Sequence, residues 1–390
     1  MTVPDDPVTV PDHRGVIDWG RMVVFFGGTS WDGNRFPDQH IAERLSAWVP
    51  VLYVDPPVAV YSPHSGWAAV HRPRLVGDQI ARFTPIVLPA KGRGPMRSVT
   101  AALVRRQAAR AVRDLGGSAH VVVAATLFPV FGTCGERRRV FYATDDFRAG
   151  ASLMNIPESW VRQREVQAIA QADVVVAVSD YLADALRSRG AAHPVVIENG
   201  VDHTLFATTD EAATPGDVTL PRPIVGFIGH LSDRIDLAML EATAGTGCSL
   251  LLVGPKSIGF EMDRMERLLD RPNVQWVGAK PFDELPSYLK VMDVGLLPYT
   301  DTEFNRSSFP LKVLEYLAAG RPAVVSDLPA IRTLGDTVHI AADPDAFAIA
   351  VIEELEAPPD PAARSRRIAA AADRSWDAAA SRFAEAIGVR

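Results

Sequence analysis

The chain contains only two cysteines, Cys134 and Cys248, and they lie far apart in the sequence. Such a pair makes neither a disulfide framework nor a metal-binding pattern, so we expect free, buried thiols in a reducing compartment. Long apolar runs are also absent, since none approaches the roughly 20 residues that cross a bilayer. The first fifteen residues are polar and contain proline, unlike a signal peptide. Together these absences predict a cytoplasmic protein.

A surplus of positive charge is missing as well. The 390 residues include 40 Lys and Arg against 47 Asp and Glu, a formal net charge of −7. This balance argues against nucleic acid as a partner and predicts that any membrane association is peripheral at most. A basic stripe at helical spacing, Arg105, Arg106, Arg110 and Arg113, is the local exception. Such a stripe is usually a solvated helix face, although it could meet an anionic acceptor or a lipid surface.

Metal-ligand spacing is not found either. His40, His120 and His203 are isolated, and an isolated histidine is usually structural or solvated. No cluster of His, Cys and Asp has the spacing of a metal site. The sequence therefore predicts no bound metal and no cofactor.

What the sequence does have is a regular alternation of short apolar strands with helical segments. Strands are expected at 22–26, 51–55, 59–61, 86–88, 120–125, 140–143, 174–178 and 195–197, and then at 224–228, 250–253, 274–277, 294–297 and 323–326. Apolar strands separated by helices predict the α/β class, with parallel, doubly wound sheets.

The alternation is interrupted once, and this interruption divides the chain into two domains. Residues 1–206 form the first, with a loose polar arm at 1–19. Residues 207–223 contain Thr, Pro, Gly and acids without periodicity, as is typical of a linker. Residues 224–370 form the second domain, and 371–390 are expected to be a helix that crosses back to the first. A cleft between the domains, at the carboxyl ends of the strands, is the expected ligand site.

Residues 306–329 have the most informative pattern. A polar loop leads into a short helix that Ser307 or Ser308 can cap, and Gly320 stops the helix before a buried strand. Lys312 lies in the first turn, where a cation is unfavourable beside the helix dipole unless an anion binds there. Glu315 lies on the same face and can accept hydrogen bonds from a ribose diol. A capped amphipathic helix with a solvated Lys and Glu is an equally good interpretation of this segment alone.

Ten segments spread over the chain carry a resemblance to a known family. They are VFFGGTSWD (24–32), VLYVDPP (51–57), FYATDDF (141–147), ADVVVAVS (172–179), VIENGVD (196–202), VGFIGHL (225–231), LVGP (252–255), NVQWVG (273–278), DVGLLPY (293–299) and 310–325. In this order and spacing they resemble a retaining GT-B glycosyltransferase of the family 4 type, in the bacterial branch of teichuronic-acid-type transferases. The resemblance implies two Rossmann-like domains that face a central cleft.

The resemblance also implies roles for residues of the second domain, which binds the nucleotide-sugar donor in this family. Lys312 and Arg234 would neutralise the diphosphate, together with His230, and Glu315 would hold the ribose. The donor-binding residues expected on this basis are Gly229, His230, Arg234, Val277, Gly278, Tyr299, Ser307, Ser308, Phe309, Pro310, Leu311, Lys312 and Glu315. The chain departs from the family at Ser307, where relatives have the first of two glutamates.

In the first domain the resemblance implies an acceptor site. Its expected residues are Gly27, Gly28, Thr29, Asp32, Arg35 and Asp146. Asp145 falls where many relatives have a histidine that contacts the donor sugar, so we group it with Lys312 and Arg234 as catalytic. A loop or helix-cap role is the alternative for Asp146, and an ordinary loop salt bridge is the alternative for Asp32 and Arg35.

The function implied is transfer of a hexosyl group from a nucleoside diphosphate sugar, the co-substrate, to a small-molecule or glycan hydroxyl, without a metal. Two alternatives remain. The departure at Ser307 favours a catalytically silent homologue that binds nucleotide or stabilises a partner. A different enzyme on the same fold, such as a sugar-phosphate epimerase or a non-glycosidic coupling enzyme, is the third hypothesis.

Overall fold

The computed structural model describes residues 17–33, 35–60, 72–89 and 96–390. The strands in this part of the chain form two large, mainly parallel sheets and one small two-stranded sheet. Most of the predicted arm and Tyr61 of a predicted strand lie outside the described residues. The predicted α/β class with parallel sheets is confirmed.

The first large sheet has the strand order β10-β9-β8-β7-β1-β2-β5-β4. Its strands, with the small pair β3 and β6, are β1 (Met22–Phe26), β2 (Val51–Val54), β3 (Val58–Ala59), β4 (Arg74–Leu75), β5 (Ile80–Phe83), β6 (Ile86–Val87), β7 (Ala119–Ala124), β8 (Arg138–Ala143), β9 (Val174–Ala177) and β10 (Val195–Val196). All neighbours run parallel except β4, which pairs antiparallel with β5. Strands β1 and β2 are buried throughout, as expected for a sheet covered on both faces.

The second large sheet has six parallel strands in the order β13-β12-β11-β14-β15-β16. They are β11 (Ile224–Ile228), β12 (Ser249–Val253), β13 (Val274–Trp276), β14 (Val294–Leu297), β15 (Ala323–Ser326) and β16 (His339–Ala341). In each sheet the strand order reverses next to the first strand, which is where ligands bind in such sheets.

Helices cover the faces of both sheets. They are α1 (Pro37–Leu45), α2 (Met96–Asp114), α3 (Glu158–Gln171), α4 (Asp180–Ser188), α5 (His203–Ala207), α6 (Leu237–Gly245), α7 (Met262–Leu269), α8 (Leu285–Val291), α9 (Glu303–Ser307), α10 (Leu311–Ala318), α11 (Pro344–Glu356), α12 (Pro361–Ala372) and α13 (Trp376–Ile387). Short 3-10 helices lie at Trp19–Arg21, Thr209–Glu211, Phe282–Glu284 and Ile331–Thr337. No helix in the described ranges is long and apolar enough to cross a bilayer.

Strand β5 was not predicted, although it lies inside the first sheet. Its sequence is Ile-Ala-Arg-Phe, and the arginine interrupts the apolar pattern that marks a buried strand. Arg82 is nevertheless only 5% exposed. Its Nε donates to Asp55 at 2.6 Å, so the buried charge has a buried partner that the sequence did not reveal.

Residues 207–223, predicted as a linker, are tied to the second domain. The carboxylate of Asp217 accepts from Lys280 and from Tyr288, and the Thr219 N–H donates to Gln275 at 3.0 Å. Lys290 donates to the carbonyl of Ala212 at 2.6 Å. The segment therefore packs along one domain and is not a free tether.

Helix α13 packs against the first domain, although it follows the second domain in sequence. Trp376 is 2% exposed and belongs to the core of the first sheet. Its ring stacks on His40 of α1 at 4.6 Å between centroids. Burial, with the nearby charges of Arg35, Arg44 and Lys312, lowers the pKa of His40 to about 3. His40 is therefore a neutral packing partner at neutral pH.

The packing of α13 yields a test on stability. Trp376→Ala removes a buried indole and should lower the free energy of unfolding by about 3–5 kcal/mol. Urea denaturation monitored by circular dichroism measures this change. The control is Ile349→Ala, at a side chain that is 56% exposed, which should change stability little. Equal effects of the two substitutions would contradict the docking of α13.

Candidate active site

The expected catalytic residues come from opposite domains and meet between the two sheets. Asp145 follows β8 in the first domain, and Arg234 lies in the loop between β11 and α6 of the second. The segments that carry them are in contact, since Ser307 Oγ donates to Asp146 at 3.3 Å and the Phe304 ring, which lies against Arg234, packs on Gly150. The structure therefore brings together a carboxylate and a guanidinium from the carboxyl ends of the two sheets.

Two aromatic rings and a hydroxyl group contact the guanidinium of Arg234. Its guanidinium lies 4.8 Å from the ring centroid of Tyr299 and 4.9 Å from that of Phe304, two cation–π contacts. Its Nη2 also donates to Ser308 Oγ at 3.2 Å. Phe304 in turn fits against Gly150 of the first domain, where an added Cβ would come 2.7 Å from the ring. The arginine is thus fixed without a carboxylate partner among the described residues.

Asn305 also contacts Arg234, and no sequence pattern marked this asparagine as a site residue. It is fully buried. Its Oδ1 accepts from Arg234 Nε at 2.9 Å, and its Nδ2 donates to the carbonyl of Arg234 at 3.0 Å and to that of Thr300 at 2.9 Å. Asn305 therefore fixes both the side chain and the main chain of Arg234.

Lys312 and Glu315 form an ion pair on helix α10. Lys312 Nζ lies 2.9 Å and 3.0 Å from the two carboxylate oxygens of Glu315. Burial raises the pKa of Glu315, and the charge of Lys312 offsets part of that effect. The Glu315 side chain is only 6% exposed, whereas Lys312 is 24% exposed and closer to the surface.

The start of α10 differs from the prediction. Ser308 ends α9 and donates to the Asn305 carbonyl, so it does not cap α10. Pro310 holds the N-cap position instead, and no side chain caps the first turn. The first N–H groups of α10 are therefore without a side-chain partner, next to Lys312.

Asp145 has the environment of a functional carboxyl group. It is half-buried, and in the described part of the chain it makes no hydrogen bond or ion pair. Burial raises the pKa of Asp145 to about 6; Arg234 opposes this rise, while Asp38 and Asp146 add to it. Such a group exchanges a proton near neutral pH.

Asp146 has partners within the protein, which agrees with the alternative interpretation of a loop acid. Its oxygens accept from both terminal nitrogens of Arg189, at 2.8 Å and 2.7 Å, and from the N–H groups of Arg148 and Ala149. Burial acts to raise the pKa of Asp146, yet the hydrogen bonds from Arg189 and the backbone hold it below its ordinary value. Buried Glu165 pairs with Arg189 as well.

Ser307 extends this network into the second domain. It is fully buried, and its Oγ donates to Asp146 Oδ2 at 3.3 Å. Its carbonyl accepts from Ser179 Oγ of α4 at 2.6 Å. The carbonyl of the nearby Phe309 accepts from Asn199 at 3.3 Å. Ser307, at the position where the resemblance implies a glutamate, is therefore an interdomain contact in this chain.

The glycine loop after β1 is shaped by neighbouring protein groups. A Cβ on Gly27 would come 2.1 Å from the Tyr53 hydroxyl, and one on Gly28 would come 2.8 Å from the Ala125 carbonyl. The space beside the two glycines is therefore occupied by other groups of the protein. The N–H groups of Gly28 and Thr29 donate to buried Asp38, at 2.8 Å and 3.0 Å.

Asp32 and Arg35 form salt bridges, which corresponds to the alternative interpretation of both. Asp32 pairs with Arg82 and Arg35 pairs with Glu43. The Asp32 side chain is 59% exposed, so it stays accessible to solvent. Neither residue presents an unpaired charge.

The remaining predicted donor residues line the carboxyl edge of the second sheet. His230 Nε2 lies 2.9 Å from Ser257 Oγ, and burial together with Arg234 lowers its pKa. Gly278 has a φ of +73° with open space around its Cβ position. Gly229 lies against Gly254, since a Cβ on Gly254 would come 1.9 Å from the Gly229 carbonyl. Val277 and Leu311 are partly buried, with Leu311 packed against the core of the first domain.

Two cavities lie away from these residues, near the amino ends of the strands. One, of about 400 Å³, is lined by Pro322, His339, Glu354 and Arg367 among others. The other, of about 250 Å³, is lined by Arg21, Trp48 and His120 among others. Across the described ranges, no three His, Cys, Asp or Glu side chains are grouped as a metal site.

Because the pKa of Asp145 is raised, replacing this residue should increase the stability of the protein by an amount that depends on pH. Between about pH 4 and pH 6 the folded state holds a proton that the unfolded state has lost, so this group reduces stability as pH rises. Asp145→Asn should increase the free energy of unfolding at pH 7.5 by about 1–2 kcal/mol and leave it nearly unchanged at pH 4. Urea denaturation at both pH values measures the difference. A pH-independent effect would contradict the raised pKa.

The contact of Ser307 with Asp146 predicts that a glutamate does not fit at this position. Ser307→Glu places a second carboxylate against a buried one and should cost about 3–5 kcal/mol of stability, as for an uncompensated buried charge. The matched control, Ser307→Ala, removes one hydrogen bond and should cost about 1 kcal/mol. Thermal unfolding of the wild-type protein and the two variants measures these changes in stability. A Ser307→Glu variant as stable as the wild type would contradict the contact of Ser307 with Asp146.

Known proteins are similar to this chain in sequence over part of its length. Residues 222–357 match the family model described as glycosyl transferases group 1. Over 214 residues the chain is 32% identical to TuaH of Bacillus subtilis (strain 168), which is named as a glycosyltransferase of teichuronic acid biosynthesis. That match spans 52% of this chain and only 54% of the relative.

Solved structures resemble the chain over nearly its whole length. Sucrose-phosphate synthase from Thermosynechococcus elongatus has a TM-score of 0.69 at 17% identity, covering 94% of this chain and 98% of that one. A trehalose-phosphate synthase from Burkholderia vietnamiensis has a TM-score of 0.69 at 13% identity, covering 95% and 99%. HepE of Anabaena, in complex with UDP-glucose, has a TM-score of 0.64 at 16% identity, covering 95% and 100%. These likenesses show that the chain has the GT-B fold, and residues 222–357 are similar to the group 1 glycosyl transferases.

Proposed function

We propose that this protein is a metal-independent glycosyltransferase that moves a hexosyl group from a nucleoside diphosphate sugar to an acceptor hydroxyl, with retention at the anomeric carbon. The observation that carries the proposal is the pair of cationic groups on one wall of the cleft. Arg234 is fixed by Asn305 and Ser308, and Lys312 lies at the uncapped start of α10. Both belong to the domain that matches the glycosyl transferase model.

The ion pair on α10 supports a two-part donor site. Lys312 covers both oxygens of Glu315, so a donor must separate them. The diphosphate would attract Lys312 toward the N–H groups of α10, and the ribose hydroxyls would then donate to the freed carboxylate. Each partner of the original pair gains a new partner from the same ligand.

The base of the donor would lie beside the second sheet. Val277, Gly278 and Tyr299 are positioned at its carboxyl edge, with open space at Gly278. The family resemblance suggests a uridine nucleotide, since HepE in the comparison binds UDP-glucose. The donor sugar would then point toward Asp145.

Departure of the diphosphate is the step that the cationic wall would assist. As the bond between the anomeric carbon and the phosphate oxygen breaks, negative charge grows on the leaving group. Arg234 and Lys312 would stabilise this charge, and Arg234 needs no rearrangement because four neighbours already fix it. The acceptor oxygen bonds to the anomeric carbon, and its proton passes to the departing phosphate oxygen.

Asp145 would serve this reaction from the opposite wall. It has no partner in the described part of the chain, so its oxygens are available to hydroxyl groups of the transferred sugar or the acceptor. Its pKa of about 6 allows the carboxyl group to accept or donate a hydrogen bond near neutral pH.

The expected cytoplasmic location and the peripheral character of any membrane contact remain predictions.

Ser307 supports one alternative, a catalytically silent homologue that only binds nucleotide. Its side chain contacts Asp146 and not the cationic wall. Incubation with UDP-glucose and no acceptor distinguishes an active transferase from a silent homologue. An active transferase should slowly hydrolyse its donor, whereas a silent homologue should not. UDP binding without any hydrolysis would favour the silent alternative.

Paired substitutions on α10 test the donor site. Lys312→Ala should lower kcat for UDP-glucose hydrolysis at least tenfold with a smaller change in KM, because its charge matters most as the diphosphate leaves. Glu315→Ala should mainly weaken UDP binding, by about tenfold in Kd, as expected for hydrogen bonds to a charged group. Steady-state kinetics and isothermal titration calorimetry provide these values.

A matched control is Lys280→Ala, which removes a lysine of the same domain that pairs with Asp217 outside the cleft. It should leave kcat and Kd unchanged. Unchanged UDP affinity in Glu315→Ala would reject the ribose role, and a pure binding defect in Lys312→Ala would reject the role of that lysine in departure of the diphosphate.

A further inference from the structure

Most of the contacts that hold the Arg234 guanidinium come from one short segment, helix α9 and the residue that ends it. Phe304 and Asn305 lie in α9, and Ser308 is its C-cap residue. Tyr299, which follows β14, adds a contact from outside this segment. The position of α9 therefore determines where the guanidinium is held.

Helix α9 depends on contacts with the first domain for its position. It has five residues, whereas an isolated helix of about 12–15 residues is only marginally stable in water. At its end, Ser307 Oγ donates to Asp146 at 3.3 Å, and the Ser307 carbonyl accepts from Ser179 Oγ at 2.6 Å. At its start, the Tyr181 hydroxyl donates to Glu303 at 3.0 Å. Both ends of α9 are therefore attached to the first domain.

The ring of Phe304 makes a further contact between the domains. It lies against Gly150 of the first domain, where an added Cβ would come 2.7 Å and 2.9 Å from two ring atoms. The same ring lies 4.9 Å from the guanidinium of Arg234, measured to its centroid. A side chain at position 150 would push the ring away from its place, so the first domain also fixes this neighbour of the arginine.

The anchor in the first domain is itself held firmly. Asp146 is 1% exposed and accepts from both terminal nitrogens of Arg189, at 2.8 Å and 2.7 Å. It also accepts from the N–H groups of Arg148 and Ala149, at 3.0 Å and 3.1 Å. Four hydrogen bonds therefore fix the carboxylate within its own domain, and Ser307 binds to a group that is already in place.

We propose that Asp146, Ser307 and Gly150 are positioning residues for Arg234, so that the first domain determines how tightly the second domain binds the donor diphosphate. The proposal rests on the proposed function and adds these three residues to its donor site, although they act through α9 and not by contact with the donor. An arginine that is ordered before its ligand arrives binds more tightly than one that must first be ordered. Loss of the anchor would leave the charge of Arg234 in the cleft but would free its orientation.

A double-mutant cycle tests this coupling, with isothermal titration calorimetry of the full chain and UDP as the ligand. Arg234→Ala should raise Kd for UDP at least about tenfold, as expected for loss of a charged hydrogen-bond donor. Ser307→Ala should raise Kd about threefold in the protein that has Arg234, and should have almost no effect in the Arg234→Ala protein. A residue that acts only on general stability would instead weaken UDP binding by the same factor in both proteins.

Gly150→Ala tests the same coupling through the contact with Phe304, and it keeps the test decisive should Ser307→Ala fail to fold. It should also raise Kd about threefold, and only where Arg234 is present. The control is Ser249→Ala, at a serine that is 4% exposed and donates to the Pro221 carbonyl at 2.6 Å. This serine begins β12, at the opposite end of the sheet from the cleft, so its loss should leave Kd unchanged.

The wild-type titration separates the two ways in which this inference could fail. Absence of UDP binding to the wild-type protein would reject the proposed donor site, and the positioning role with it. Binding of UDP to the wild type, with equal losses from Ser307→Ala in the presence and absence of Arg234, would reject the positioning role alone. An unchanged Kd in both Ser307→Ala and Gly150→Ala would reject it as well.

Discussion

The arrangement of the cleft depends on one buried contact between the domains, that of Asp146 with Arg189 and Ser307. The carboxylate is anchored in the first domain by Arg189 and backbone N–H groups, and it accepts from Ser307 at the end of α9. That helix also carries Asn305 and Phe304, which hold Arg234. A single ionic network therefore fixes the segment that positions the cation most central to the proposed chemistry.

Charge is divided between the two walls in a way that suits transfer between sugars. The second domain contributes Arg234 and Lys312, whereas the first contributes Asp145 and the internal anion Asp38. In the proposed reaction a diphosphate would bind one wall and sugar hydroxyl groups the other, so the two substrates would not compete for one site. Burial raises the pKa of the half-buried Asp145 to about 6, and carboxyl groups destabilised in this way are common at functional sites.

Much of the fold could be predicted from the sequence because apolar runs such as β1 and β11 have a single interpretation. Strand β5 escaped prediction since Arg82 interrupts it, and its partner Asp55 is 27 residues away. The same limit applied to the site. Lys312 and Glu315 could be placed on one face of a helix from their spacing, but the ion pair that they form with each other was not predicted. Asn305, Asp38 and Arg189 act only through contacts between distant segments, which no local pattern signals.

The glycines after β1 illustrate how a correct local pattern leads to a different partner. Gly27 and Gly28 do permit a close approach, but to Tyr53 and Ala125 of the protein. Thermal unfolding of the full chain with UDP, GDP, ADP and TDP tests whether the wall formed by Arg234 and α10 is a nucleotide site. One nucleotide, expected to be UDP, should raise the unfolding midpoint in a concentration-dependent way. Unchanged midpoints with all four nucleotides would contradict a nucleotide site on this wall.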